Sequence, residues 1–156
     1  MTAILQKIIE CGFAIAFEST EEYADDEESP HTLSMYMLYS YASEVPNPTI
    51  YPIFKTLILQ ACQHPDELYR KAGLKVLGHV CDSDGLLDCI KDDIEELTDL
   101  LVAGLVDQNQ AVREGAAIVV GQFSDNVVPE FLELSGKVLP CLFQMLQKYV
   151  EQATTS

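Results

Sequence analysis

Apolar residues recur along this chain at spacings of three and four, and the strict alternation of a half-buried strand is almost absent. The pattern predicts seven helices: Thr2–Phe17, His31–Val45, Thr49–His64, Asp66–Cys81, Lys91–Leu105, Asn109–Ser124 and Ser135–Val150. Breakers mark their ends at Pro30, Pro46, Pro48, Pro65, Gly85 and Pro129. In the fifth segment Ile90, Ile94, Leu97, Leu101 and Leu105 fall on one side, and Asp92, Asp93, Glu95, Glu96 and Asp99 on the other. One face of that helix packs and the opposite face is wet. The fourth segment is apolar around most of its circumference, with Glu67, Lys71, Lys75 and His79 forming a stripe at steps of four. Such a helix must lie between neighbours and touch water along one narrow strip.

The segment HPDELYRKAGLKVLG from His64 overlays DQNQAVREGAAIVVG from Asp107 at a constant offset of 43 residues, so that Arg70 falls on Arg113 and Gly78 on Gly121. The segments YPIFKTLI, TDLLVAGL and LPCLFQML each lead toward a turn in the same way. Helix pairs recurring every 40 to 47 residues or so mark an α-solenoid, and two helices per unit favour the HEAT kind. The expectation is an all-α HEAT-repeat solenoid of about seven antiparallel helices spanning 1–156, with repeats at 1–45, 49–81 and 90–124 and the first helix of a further repeat at 135–150. Neither end carries a polar capping repeat, so the chain reads as a piece of a longer array whose exposed ends would self-associate.

Charge narrows the partners. The net charge is −16, from 25 acidic and 9 basic residues, which disfavours nucleic acid and anionic lipid and favours a basic partner. Within positions 18–30, expected to be an exposed acidic loop between the first two helices, seven carboxylates occupy eleven residues: Glu18, Glu21, Glu22, Asp25, Asp26, Glu27 and Glu28. Like charges at that density disfavour a folded state, and the run reads either as an electrostatic contact for a partner or as a solvated connector. Cys11, Cys62, Cys81, Cys89 and Cys141 have no framework spacing and read as reduced, buried thiols. With no apolar stretch of bilayer length and no leader-like start, the expected compartments are cytoplasm and nucleus.

Chemistry of the catalytic kind finds no footing. The three histidines, His31, His64 and His79, flank no nucleophile motif, and no phosphate-binding glycine loop occurs. The acidic run around Gly85 (Asp82, Asp84, Asp88) lacks the ligand order of a calcium loop, and the cysteines lack zinc spacing. The reading is therefore no enzyme, no catalytic residue, no cofactor and no metal.

The starts HPDELYRKAG and DQNQAVREGA resemble the second-helix start of HEAT repeats. More specifically, IYPIFKTLI, YRKAGLKVLGHVCD and GLVDQNQAVREGAAIVVGQFSDNVVPE resemble the middle repeats of importin-β-type karyopherins, most of all the importin four branch, from about Glu18 to Gln147. The first repeat lacks the Asp and Arg pattern, and the loop Asp82–Asp88 is longer than a minimal HEAT turn. The resemblance implies a nuclear transport receptor that binds basic cargo proteins and the GTPase Ran in its GTP form, on a concave face lined by second helices. The alternative is a HEAT scaffold subunit of a multiprotein complex. Lys71, Lys75, His79, Glu114 and Gln122 are the expected partner-binding residues of that face, because they occupy the exposed stripes of otherwise buried helices. Tyr36 and Tyr39 fit either that face or the core. Arg70 and Arg113 are expected to be structural, each bonding an Asp or backbone carbonyls of the adjacent repeat. Gly115 is expected where two helices approach closely.

Overall fold

The computed structural model describes residues 2–17, 29–45 and 47–155, and for Thr2, His31, Asn47 and Thr155 the backbone alone. Among the described residues there are nine helices and no strand: α1 Thr2–Phe17, α2 Pro30–Glu44, α3 Asn47–Cys62, α4 Glu67–Cys81, α5 Leu87–Asp92, α6 Ile94–Leu105, α7 Gln110–Asn126, α8 Glu130–Glu133 and α9 Ser135–Thr155. The starts of the second-layer helices are fixed by side-chain caps. Ser29 Oγ accepts from Thr32 N, Asp66 Oδ1 from Leu68 N, and Asn109 Oδ1 from Ala111 N and Val112 N. Each satisfies backbone donors that the first turn leaves open.

The helices form two layers. In one, α1 packs on α3, α3 on α6 and α6 on α9; in the other, α2 packs on α4 and α4 on α7. A single apolar cluster runs between them, from Ile9 and Phe13 through Phe54, Leu74 and Leu77 to Leu101, Phe123 and Val138. Burial of those side chains supplies the cohesion, at roughly 25 cal/mol per Å² of apolar surface removed from water. Two glycines set how closely the layers approach. A Cβ on Gly104 would lie 2.8 Å from Ala116 Cβ, and one on Gly73 would lie 2.8 Å from Ala61 Cβ.

Three features depart from the sequence pattern. The segment expected as Lys91–Leu105 breaks at Asp93, whose φ of −104° and ψ of 14° end α5 and begin α6. The break leaves the Asp93 carboxylate to accept from Tyr51 Oη and Lys55 Nζ, both at 2.8 Å, which ties α3 to the hinge. The short α8 follows Pro129, and α9 continues past Val150 to Thr155. Finally, Pro52 and Pro140 lie inside α3 and α9, each at the sixth helical position.

Candidate functional site

The outward surface of the second layer carries two adjoining grooves. Between α4 and α7, Lys71, Lys75 and His79 face Glu114, Ile118 and Gln122 across a floor of Ala111 and Gly115, enclosing about 370 Å³. Between α2 and α4, Thr32, Met35, Tyr36 and Tyr39 face Lys75, His79 and Asp82, enclosing about 470 Å³. Lys75 and His79 border both hollows and form the ridge between them.

The five residues read from the sequence as partner-binding thus share one groove. Helical spacing is the reason: positions 71, 75 and 79 of α4, and 114, 118 and 122 of α7, repeat at steps of four on facing helix sides. Tyr36 and Tyr39 are surface residues, 61% and 39% exposed. Ile118 is 66% exposed, and sequence reasoning missed it because one isoleucine in an apolar helix looks like core. The telling signal is that it stands midway between Glu114 and Gln122 in the polar stripe.

The groove's polar groups differ in how they are held. Asp82 accepts from Gln122 Nε2 and Asn126 Nδ2, both at 2.8 Å, so its carboxylate is occupied at the edge. Glu114 accepts from Gln110 Nε2 at 2.8 Å and Tyr149 Oη at 3.4 Å. Loss of water, and then the charge of Lys71, holds the Lys75 amine below its ordinary value. Burial, then Lys75, lowers His79, with Asp82 opposing. Neutral imidazole is favoured there.

Arg70 and Arg113 lie away from the grooves, at the starts of α4 and α7. Arg70 binds Asp107 through Nε (2.7 Å) and Nη2 (3.0 Å), and its Nη1 donates to His64 O and Pro65 O. Arg113 donates Nη1 to Asp107 O and Gln108 O, the carbonyls of its own turn, and faces the Tyr149 ring at 5.8 Å. The seven carboxylates Glu18, Glu21, Glu22, Asp25, Asp26, Glu27 and Glu28 lie outside the described residues.

Two expectations are corrected. Gly115 is no close-approach point, since a Cβ there would meet only Leu74 Cδ1 at 4.0 Å. It floors the groove instead. Nor are all five thiols buried: Cys81 is, Cys62, Cys89 and Cys141 are partly exposed, and Cys11 is exposed. Cys11 falls on the α1 face that borders an apolar hollow with Ile4, Ile8, Ile15 and Leu33, at an outer edge of the helix array. The other outer edge, α9, exposes Leu139, Phe143, Leu146 and Val150. Among the described residues, no three His, Cys, Asp or Glu side chains converge as a metal would require, and no helix is long and apolar enough to cross a membrane.

No protein-family model matches the chain. It is 31% identical to human importin-4 over 134 residues, 83% of this chain and 12% of the relative, and 31% identical to the mouse importin-4 over 121 residues, 77% and 11%. A probable importin subunit beta-4 of Schizosaccharomyces pombe is 25% identical over 82% of this chain and 12% of the relative. Among solved structures, a crystal structure of importin beta superposes with a TM-score of 0.63 at 20% identity, covering 80% of this chain and 14% of that one, a likeness of fold. The chain therefore spans only about an eighth of the length of the relatives it matches. With the two-layer helix array and the repeated Asp and Arg turns already in place, these likenesses settle the lineage: the chain belongs to the importin-β superfamily, as a stretch of its HEAT-repeat solenoid.

Proposed function

We propose that this stretch is part of a nuclear transport receptor that shuttles between cytoplasm and nucleus, and that the layer of α2, α4 and α7 is its inner binding wall. The observation that carries this reading is the pair of joined grooves on that layer, where Tyr36 and Ile118 stand exposed among Lys71, Lys75, His79, Glu114 and Gln122. Exposed apolar side chains ringed by polar groups are the usual make-up of a protein-binding surface. The names of the relatives support transport as the purpose of that binding. Basic cargo and Ran in its GTP form are the partners proposed, and the charge of −16 steers positive ligands toward the molecule. No bond is made or broken by the receptor itself.

The test is retention of Ran by the full-length protein. Ran locked in the GTP state should bind, Ran with GDP should not, and a Lys/Arg-rich cargo segment should bind with strong salt dependence. Binding of neither would favour the scaffold-subunit alternative for the same fold.

A further inference from the structure

Three sets of side-chain contacts join the second repeat to the third. At the N-terminal ends of α4 and α7, Arg70 grips Asp107 through Nε at 2.7 Å and Nη2 at 3.0 Å. At their C-terminal ends, the Asp82 carboxylate accepts from Gln122 Nε2 on one oxygen and from Asn126 Nδ2 on the other, each at 2.8 Å. In the other layer, Lys55 Nζ of α3 lies 2.8 Å from both Asp93 and Glu96, and Tyr51 Oη donates to Asp93 at 2.8 Å. Each set contains an ionised partner, and hydrogen bonds to ionised groups are the stronger ones.

Asp82 occupies a place that helix electrostatics disfavours. It caps the C-terminus of α4, the negative end of that helix dipole, and the two amides of α7 offset the cost. The surroundings are built closely around the contact. A Cβ on Gly78 would collide with the Gln122 side-chain oxygen, so the glycine is what lets that amide lie against α4. The Asn126 amide also hydrogen-bonds the sulfur of buried Cys81.

Placement decides what the three sets do together. Asp82 follows Arg70 by twelve residues of α4 and its cap, about 18 Å at 1.5 Å per residue, and the Lys55–Asp93 contact lies in the other layer. Three points that share no line leave no axis about which one repeat can turn on the other without breaking a contact.

We infer that the second and third repeats form one rigid block in which the α4–α7 groove is a slot of fixed width, and that Asp82 is the positioning residue that holds its C-terminal end. Bending of the longer array is taken up at other junctions. The wall of Lys71, Lys75 and His79 and the wall of Glu114 and Ile118 keep their separation while it bends.

Electron paramagnetic resonance on the full-length protein tests this, with nitroxides carried on a ketone-bearing amino acid so that the native thiols stay in place. Labels at Glu67 and Gln108 span the N-terminal ends of α4 and α7, labels at Asp84 and Asp125 span the C-terminal ends, and labels at Gln110 and Asp125 give a rigid reference within α7; all five positions are exposed. Both inter-repeat pairs should give single distances as narrow as the reference. Asp82→Ala should broaden the Asp84–Asp125 distance about twofold or more and leave the Glu67–Gln108 distance unchanged. Arg70→Ala should do the reverse, with Arg70→Lys in its place if circular dichroism shows the alanine variant unfolded. Asp82→Asn should broaden the C-terminal pair as well, because two amide donors then face one amide. Adding Gln122→Glu reverses one of those hydrogen bonds at unchanged net charge relative to wild type and should restore the narrow distance. Iodoacetamide labelling of Cys81 should rise about tenfold in Asp82→Ala, while that of Cys62, before the turn into α4, stays within about twofold, which separates local opening from global unfolding. The inference is overturned if the wild-type pairs are broader than the reference, if Asp82→Ala leaves the Asp84–Asp125 distance narrow, or if Cys62 and Cys81 accelerate together.

Discussion

Arg70 grips Asp107 with two parallel hydrogen bonds, Nε to Oδ2 at 2.7 Å and Nη2 to Oδ1 at 3.0 Å, and so joins the turn before α7 to the first turn of α4. The same carboxylate accepts from Asn109 N at 2.8 Å, and the same guanidinium donates to His64 O and Pro65 O. Both side chains are mostly buried, at 19% and 12% exposure, so the pair escapes much of the solvent screening that weakens surface ion pairs. Arg70→Ala should cost about 2–3 kcal/mol of unfolding free energy, since it strands a carboxylate and two carbonyls together. Urea denaturation of Arg70→Ala, Asp107→Ala and the double variant checks this. Additive losses would show that the pair has no coupling of its own.

Arg113 occupies the matching place on α7 with a poorer set of partners. Val150 stands 43 residues after Asp107, where a carboxylate would complete the pattern, and Arg113 Nε is buried with no hydrogen-bond partner among the described residues. Two carbonyl bonds and the Tyr149 ring remain. Arg113→Ala should therefore cost about 1 kcal/mol, clearly less than Arg70→Ala. Equal losses in the same denaturation series would contradict the difference in their surroundings.

Glycine substitutions should separate packing points from open helix surface. At Gly104 and Gly73 the added Cβ meets another Cβ at 2.8 Å, fixed to backbone and unable to swing away, so Ala there should cost about 1–3 kcal/mol. At Gly121 nothing lies within 4 Å, and Ala should stabilise by up to about 1 kcal/mol through helix propensity. Gly115→Ala should be neutral or mildly stabilising. A melting series with all four destabilised alike would mean that the two layers are spaced otherwise.

Those glycines also mark what the sequence could and could not disclose. Helix positions and the stripe of Lys71, Lys75 and His79 were legible because each is a local periodicity. Gly115 and Gly104 look alike in sequence, and only the register of α6 against α7 decides that one opens to a groove and the other meets Ala116. The break at Asp93 was hidden for a similar reason. Its cause is a pair of donors on α3, Tyr51 and Lys55, roughly forty residues earlier. Ile118 shows the converse, where an apolar residue proves exposed because it lies on the outward face of α7, in line with Glu114 and Gln122 along the groove beside α4.

Thiol reactivity should follow exposure and not cysteine count. Burial pushes the Cys62 and Cys81 thiols up to about 12, with Asp82 adding to the effect at Cys81, and burial followed by Asp92 and Asp88 raises Cys89. The thiolate is the reacting species, so these three should label slowly at pH 8. Cys11, exposed on α1, should label first. Mass spectrometry of iodoacetamide adducts after short exposure tests the order, and early modification of Cys81 in the folded protein would contradict its placement.

Acid should destabilise the protein in two windows, the higher set by His79 and the lower by Asp93 and Asp107. At Asp93 and Asp107 burial alone would raise the carboxyl, but Lys55 with Tyr51 at the first, and Arg70 with the Asn109 amide at the second, more than offset it and hold both below their ordinary values. A depressed folded value means stability that is complete above the unfolded carboxyl pKa of about 3.9 and is lost as pH falls through the folded value. His79 works in a higher window. Burial and then Lys75 lower its pKa, with Asp82 opposing, so the unfolded chain takes up the proton first and stability declines once pH drops below about 6.5. The urea midpoint should accordingly be level near neutrality, begin a shallow decline as pH falls below about 6.5, and fall steeply below about pH 4. His79→Gln should erase the shallow decline and leave the steep one, while Asp93→Asn and Asp107→Asn should each flatten the steep limb and leave the shallow one in place. A shallow decline that persists in His79→Gln would assign it to another group and remove the argument that the groove ridge disfavours a third positive charge beside Lys71 and Lys75.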